Sequence, residues 1–251
     1  MISFFRKIRQ RLITDNRVSK YLFYAIGEII LVVIGILIAL QVNEWSDRRK
    51  NKEIEYNVLQ GLLAEFKNAE LELRADDSTR IQIRSAISTS LEIRSNEAPY
   101  LLDFDSTSSL LYYMKEYRFY TPSHPQLKDL QSSGKFDMIS SKATKENLLK
   151  YIEMWDRITI LEKNTQNALI NNLHPYLSTH CDLSLISAKN PNEEQELINQ
   201  FQTMIKDRTF GSLMRLRLEE VYTIMYYSET LMKDIKDCQE SIAEVLKNLE
   251  S

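Results

Sequence analysis

The sequence predicts an all-α protein in which a single N-terminal transmembrane helix continues into an elongated helical bundle. Glycine and proline occur only five times each in 251 residues, which disfavours turn-rich β architectures and disordered linkers. Charged residues make up 27% of the chain and are spread along it, as is typical of the solvated faces of long helices. One apolar stretch near the N-terminus is long enough to span a bilayer.

This apolar segment, residues 22–42, contains Glu28 as its only ionisable residue. At ~1.5 Å per residue, a helix of this length matches the roughly 30 Å hydrocarbon core of a bilayer. Tyr21, Tyr24 and Trp45 lie near its ends, where aromatic rings settle at headgroup depth. A cleaved signal peptide is disfavoured, because more than twenty residues precede the segment and no A-x-A-like site follows it.

Three regions follow: a basic amphipathic cytoplasmic segment (1–20), a transmembrane helix (21–45) and an extracytoplasmic helical bundle domain (46–251). Basic residues flank the apolar segment, with the excess on its N-terminal side. The positive-inside rule therefore keeps the N-terminus in the cytoplasm. The basic leader includes Arg6, Lys7, Arg9 and Arg11, and it either lies as a short helix on anionic lipid or acts as a retention signal without fixed structure.

Four residues of the apolar segment are candidates for a helix–helix interface in the membrane: Gly27, Glu28, Gly35 and Ala39. On a helical wheel they share one side, and Gly35 and Ala39 form a small-xxx-small pair that lets two helices approach closely. Glu28 would then be buried between helices or paired with a partner. Alternatively, the hydrocarbon core begins at Ile29 and Glu28 lies at the headgroup boundary.

Two stretches resemble a known family. The leader "FFRKIRQRL" followed by "YAIGEIILVVIGILIALQVNEW" resembles the start of domain-of-unknown-function family 6090, a family of small membrane-anchored proteins from Bacteroidota. A second stretch, "PQLKDLQSSGKFDMIS" (125–140), is similar to that family's "ptyeeLkssG.l.li.n" segment. The resemblance implies an anchored helical protein of unassigned activity, here a single-pass protein of a bacterial inner membrane with its C-terminal domain in the periplasm. It implies no catalytic or binding residues.

Four substantial helices are predicted after the apolar segment, near 46–95, 107–120, 142–173 and 207–248. The first carries Leu59, Leu62, Phe66, Ala69 and Leu73 at alternating spacings of three and four, a pattern that fits either a coiled-coil seam or packing within a bundle. The second is rich in tyrosine, which favours core packing over a ligand platform.

Signals for the starts and ends of helices are clearest in the middle of the chain. Ser123 or His124 can cap a short helix with Pro125 in its first turn, and Gly134 suits the left-handed position that closes it. Ser140 or Ser141 begins the next helix, with Leu148, Ile152, Trp155 and Ile158 as its buried stripe. Pro175 is expected to end that helix. The last helix carries a similar stripe, formed by Leu218, Val221, Met225, Met232, Ile235, Ile242 and Leu249.

Few residues suggest chemistry. The stretch "HPYLSTHCD" contains His174, His180, Cys181 and Asp182, but its spacing fits no standard zinc module.

Cys181 and Cys238 either form a disulfide, as an extracytoplasmic domain would permit, or are two unpaired core cysteines. We found no Walker loop, nucleophile elbow, H-E-x-x-H motif or dinucleotide fingerprint, so neither a cofactor nor an enzymatic activity is predicted.

The predicted role is that of an interaction or scaffold protein. Its expected partners are the lipid bilayer, a second copy through the transmembrane helix, and a protein partner of unknown identity. The net charge of −3, without a basic stripe, excludes a nucleic-acid partner. The alternative is an extracytoplasmic sensor that binds a small ligand between helices and acts through a partner.

Overall fold

The chain is described by a computed structural model over residues 18–95 and 102–250. This part of the chain is almost entirely helical and contains no β-strand, so the all-α prediction is confirmed. It divides into two compact units, one ending at Tyr56 and the other beginning at Asn57. The residues of the basic leader, Arg6, Lys7, Arg9 and Arg11, lie outside the described residues.

The first unit contains the N-terminal half of helix α1, which spans Val18–Ser95. Apolar side chains of the segment 22–42 are exposed on all sides of the helix, for example Leu31, Val32, Ile34 and Leu37. By length and composition this stretch could cross a membrane, and none of its most apolar window is buried within the protein. It is therefore a candidate membrane span.

The second unit is a helical bundle. After residues 57–95 of α1 come α2 (Phe104–Lys115), α3 (Pro125–Ser133), α4 (Lys142–Ala168), α5 (His174–His180), α6 (Pro191–Met204) and α7 (Arg208–Glu250). Two short 3-10 helices cover Lys135–Met138 and Leu183–Ser187, and a π-helix covers Leu169–Leu173. The two long helices α4 and α7 pack along each other most extensively.

The seam on α1 packs inside this bundle. Leu59, Leu62, Phe66, Ala69 and Leu73 are all buried within the single chain, and the Phe66 ring meets the Tyr151 ring of α4 edge to face at 4.8 Å. Of the two interpretations of this pattern, packing within a bundle is the one observed. Burial of five such side chains in the bundle stabilises this part of α1.

Helix α2 starts at Phe104, three residues before the predicted start near residue 107, and it also ends earlier than predicted. The Asp103 side chain accepts a hydrogen bond from the Ser106 N–H and so caps the helix. The helix stops at Lys115 rather than near residue 120, because distant side chains take over the backbone hydrogen bonds beyond it. Arg217 donates to the Glu116 carbonyl, and the Tyr120 N–H donates to the Glu162 carboxylate.

Helix α3 has the predicted boundaries, but its capping residue comes from elsewhere. His124 occupies the N-cap position without a capping hydrogen bond. Instead, the Glu65 carboxylate on α1 accepts from the Gln126 N–H at 2.6 Å and the Leu127 N–H at 3.4 Å. At the other end Gly134 has a φ of 67°, which confirms the predicted left-handed cap.

The prediction that Pro175 ends the helix starting at residue 142 is wrong. The Ser141 hydroxyl caps that helix as expected, but the helical path continues through the π-helix Leu169–Leu173 into α5. Pro175 lies in the first turn of α5. A π-turn widens the backbone by one residue and so accommodates the missing proline N–H and the ring that would clash with an α-helical carbonyl.

Helices α6 and α7 meet at a corner that α1 holds in place. Two carbonyls at the end of α6, those of Ile205 and Asp207, accept hydrogen bonds from Arg94 Nη1 at 2.5 and 2.6 Å. The Arg94 guanidinium lies over Gly211, where a Cβ atom would come within 2.6 Å of Arg94 Nε. A larger side chain at position 211 would require the Arg94 side chain to shift from its place at the Ile205 and Asp207 carbonyls.

Candidate functional site

A chain of polar side chains runs through the interior of the bundle. It begins at Glu65 on α1, passes through His124, Tyr151 and Tyr120, and continues to Glu162 on α4. All of these side chains are almost completely inaccessible to solvent. Buried polar groups are expensive unless they satisfy one another, so this network constrains how α1, α3 and α4 pack together.

The number of available donor hydrogens fixes which atom donates and which accepts in each hydrogen bond of this network. The Tyr120 hydroxyl donates to the Ala69 carbonyl, which can only accept. Its oxygen therefore accepts from the Tyr151 hydroxyl at 3.2 Å, and the Tyr151 oxygen accepts from His124 Nε2 at 2.5 Å. With its proton on Nε2, neutral His124 turns an unprotonated Nδ1 toward Glu65 Oε2 at 3.5 Å.

Two acceptors thus face each other at His124 and Glu65. His124 Nδ1 has no hydrogen-bond partner among the described residues. Burial raises the pKa of Glu65 and, helped by Lys128, lowers the pKa of His124 to about 4. Both shifts favour an arrangement in which the histidine is neutral and Glu65 takes up a proton more readily than an exposed glutamate.

The network ends in a buried ion pair. Glu162 forms a short hydrogen bond to Arg80, and both side chains are at most 4% exposed. Arg80 also contacts Asp77 at 2.8 Å, and Asp77 in turn accepts from the Ser228 hydroxyl of α7 at 2.7 Å. Burial raises the pKa of Glu162 to about 7, although Arg80 opposes that rise.

A small cavity reaches this ion pair. Its lining includes Arg80, Glu162, Tyr117 and Arg217, and its volume is about 20 Å³, which is enough for about one water molecule. In this arrangement Arg80 and Glu162 bind mainly each other and can hold helices in register, and the cavity beside them has room for about one water molecule.

A larger groove lies between α4 with its π-helix and α7. Its volume is about 420 Å³, and its walls carry Leu161, Ala168 and Leu169 on one side and Leu213, Leu216 and Ile224 on the other. It shares Thr165, Arg217 and Ile224 with the 20 Å³ cavity. A groove of this size is within the range that small organic ligands occupy.

Arg217 lies where the groove meets the small cavity, with only 5% of its surface exposed. Its Nη2 donates to the Glu116 carbonyl at 2.7 Å. Its Nη1 lies 3.7 Å from the Glu220 carboxylate, too far for a good hydrogen bond. Its Nε is buried and has no partner within the described part of the chain. Burial lowers the pKa of Arg217 to about 10, so the side chain remains charged at neutral pH.

The middle of α7 carries a surface of tyrosines and arginines. Tyr222 and Tyr226 are 51% and 67% exposed and lie one helical turn apart. Tyr226 contacts Tyr227 edge to face, and the guanidinium groups of Arg84 and Arg157 lie over Tyr222 and Tyr227. We call these five residues the tyrosine surface. Tyrosine and arginine are enriched in protein–protein interfaces.

The "HPYLSTHCD" stretch is not assembled into a chemical site. The His174 ring contacts the Lys115 carbonyl, whereas His180 stacks on Tyr176. Burial raises the pKa of the Cys181 thiol to about 11, so it is protonated and a poor nucleophile at neutral pH. Across residues 18–95 and 102–250, no cluster of three or more His, Cys, Asp or Glu side chains could hold a metal ion.

The Cys181–Cys238 disulfide is not formed. Both cysteines are buried, and both thiols are free, which matches the alternative of two unpaired core cysteines. The physical reason is their location. Cys181 belongs to a core cluster with residues of α2, α5 and α6, and Cys238 on α7 is not part of that cluster. Burial also raises the pKa of the Cys238 thiol.

The four interface candidates of the apolar segment lie on α1 as predicted, with Glu28, Gly35 and Ala39 at positions i, i+7 and i+11 of one continuous helix. All four are exposed, and a Cβ atom added at Gly27 or Gly35 would meet nothing within 4 Å. Their pairing with a second helix stays a prediction.

Several residues of the network and the groove were missed from the sequence. Glu65, Arg80 and Glu162 resemble the many charged residues on solvated helix faces, and nothing local distinguishes them. Arg217 could have been noticed, because it stands beside Leu216 and Leu218 near the apolar stripe of its helix. Tyr151 lies one position before the predicted stripe residue Ile152, yet it is the buried one of the two.

Comparison with known proteins identifies one family. A family model described as "Family of unknown function (DUF6090)" matches residues 28–161, which is more than half of the chain. The matched region starts at Glu28 in the apolar segment and extends through most of α4. No curated protein and no solved structure matches the chain.

Proposed function

The chain belongs to the DUF6090 family of unknown function, and we propose that this member is a membrane-anchored helical interaction protein. The apolar segment of α1 is the anchor. Its side chains are exposed on every side, and a lipid bilayer is the environment that would cover them all at once. The bilayer is thus the first proposed partner, and a bacterial inner membrane the proposed location.

The proposed topology places the N-terminus in the cytoplasm and the bundle in the periplasm, because the basic residues are in excess before the apolar segment. A reporter active only in the periplasm, fused after residue 250, should be active, and the protein should resist carbonate extraction. Replacing Val33 and Leu37 with lysine should release it, because each lysine near the centre costs about 3 kcal/mol of insertion free energy. A wild-type protein in the soluble fraction would refute the anchor.

The tyrosine surface is the observation that supports an interaction role. It presents large aromatic side chains and planar guanidinium groups on three adjacent helices, α1, α4 and α7. Tyrosine side chains lose little conformational entropy when they are covered and can form both apolar contacts and hydrogen bonds. The proposed occupant is a folded domain of a partner protein on the same side of the membrane.

Site-specific photo-crosslinking tests this proposal. A photoreactive amino acid at position 226 is expected to give a discrete adduct in cells, and Tyr222→Ala should reduce its yield by about fivefold or more if that side chain contributes more than 1 kcal/mol. Position 112 on α2 is the matched control, since Tyr112 is also an exposed tyrosine. Equal adducts at 226 and 112, or none at 226, would contradict the proposal. An adduct with twice the chain mass would identify the partner as a second copy.

A second candidate function, ligand sensing, is favoured by the groove between α4 and α7. The groove and the tyrosine surface share one helix, because Thr223 lines the groove and stands next to Tyr222. A ligand that moved this turn of α7 would alter the surface presented to a partner. We propose no catalytic role, in keeping with the 20 Å³ of space beside Arg80 and Glu162.

A further inference from the structure

We propose that the groove between α4 and α7 binds a small amphipathic carboxylate, with its apolar part against the leucines of the groove and its carboxylate on Arg217. This inference rests on ligand sensing, the second proposed function, and names the class of ligand. It is carried by the shape of the groove, the hydrogen bonding of Arg217 and the backbone beside them.

The first step concerns the unfilled donors of Arg217. A guanidinium has five N–H donors, and here Nη2 has a good acceptor, whereas Nη1 has a distant carboxylate and Nε has none among the described residues. A charged group that is 95% buried is costly without partners. A carboxylate is the group that best fills such donors, because its two oxygens accept charge-assisted hydrogen bonds.

The second step concerns the rest of the groove. Leu161 and Ala168 of α4 and Leu213 and Leu216 of α7 form apolar walls around about 420 Å³. Leu216 is 59% exposed although it is a large apolar residue. These walls suit a short alkyl or aryl group, and Arg217 at the inner end suits the anionic head.

The third step concerns the backbone. The π-helix Leu169–Leu173 borders the groove, and its residues Leu169, Asn172 and Leu173 line it. A π-turn inserts one residue into an α-helix and is frequently found at functional sites.

The position of Glu220 beside Arg217 leads to a specific prediction about carboxylate binding. Its carboxylate is the group nearest to Arg217 Nη1, at 3.7 Å, and burial raises its pKa. A bound carboxylate would compete with Glu220 for Arg217 and would be repelled by it. Replacing Glu220 with glutamine should therefore strengthen carboxylate binding, an effect that a purely structural ion pair would not produce.

The test uses the full-length protein in lipid nanodiscs, with empty nanodiscs as the blank. Hexanoate is the probe, and binding is measured by saturation-transfer NMR. We expect hexanoate to bind, hexanol to bind at least tenfold more weakly, and hexylamine not to bind. Glu220→Gln should tighten hexanoate binding severalfold, whereas the matched variant Glu219→Gln, on an exposed neighbour that also lines the groove, should change it less.

Two further variants test separately the charge of Arg217 and the space in the groove. Arg217→Met removes the charge, and Ala168→Leu fills the groove while leaving Arg217 intact; each should weaken hexanoate binding at least tenfold with unchanged far-UV circular dichroism. Absence of hexanoate binding would overturn the inference. Equal binding of hexanol and hexanoate that Ala168→Leu abolishes would overturn the carboxylate assignment but keep the groove as a ligand site. Hexanoate binding that leaves the crosslink at position 226 unchanged would instead contradict ligand sensing.

Discussion

Replacing Arg80 with alanine is expected to lower the free energy of unfolding by about 3–5 kcal/mol. The change leaves the Glu162 carboxylate buried without its cation, and the cost of an uncompensated buried charge exceeds that of losing the contact alone. It also frees Asp77 from its 2.8 Å contact with Arg80. Equilibrium urea unfolding of the full-length protein in nanodiscs measures this loss.

Two further variants separate charge burial from simple truncation. Arg74→Ala removes an exposed arginine that pairs with Glu70 on the same helix, and we expect a loss of about 0–1 kcal/mol. Arg80→Met combined with Glu162→Gln removes both charges but keeps an acceptor for the Tyr120 N–H. This double variant should recover most of the stability. If Arg80→Ala and Arg74→Ala cost the same, the buried ion pair is not a stabilising centre of the bundle.

Acidification is expected to destabilise the protein through His124. Burial lowers its folded-state pKa to about 4, against 6.5 for an exposed histidine. Above pH 6.5 the side chain is neutral in both states. Between pH 6.5 and 4 the unfolded chain binds a proton that the folded chain does not, so stability falls as the pH falls. The loss is about 1.4 kcal/mol per pH unit and at most about 3 kcal/mol in total.

Comparison with histidine variants isolates this contribution. The slope of the unfolding free energy against pH should be smaller in His124→Gln than in the wild type between pH 6.5 and 4. His180→Gln, which removes an exposed histidine, serves as the comparison variant. Glu162 is present in both proteins, so its direct effect largely cancels in the difference, whereas the neighbouring Glu65, 3.5 Å from His124, contributes to the difference. Identical slopes in wild type and His124→Gln would show that His124 does not titrate abnormally.

The elements that the sequence predicted well depend on neighbours in the chain. The Ser141 cap, the left-handed Gly134 and the seam from Leu59 to Leu73 each involve side chains within a few residues of the backbone that they organise. Helix α7 was predicted to within two residues at either end for the same reason. Hydrophobic periodicity and capping act over one or two helical turns, so a single sequence shows them.

The elements that the sequence predicted wrongly or missed mostly depend on residues that are distant in the chain. Helix α2 ends early because Arg217 and Glu162, each more than forty residues away, satisfy the backbone after Lys115. Helix α6 was not predicted individually, although Asn190 caps it locally, and the arginine that stabilises its C-terminus, Arg94, is distant in sequence. No local sequence signal predicts the π-helix through which the helical path continues to Pro175.

By itself, the sequence determined the helical class, the apolar segment with its candidate interface, the Ser141 and Gly134 caps and the buried seam of α1, because periodicity, capping and transfer to hydrocarbon depend on side chains close together along the chain. Only the tertiary structure decided which charged residues are buried, because Glu65, Arg80, Glu162 and Arg217 become distinct from solvated charges only when distant helices exclude water around them. The groove, the His124 network and the tyrosine surface therefore depend on packing between helices.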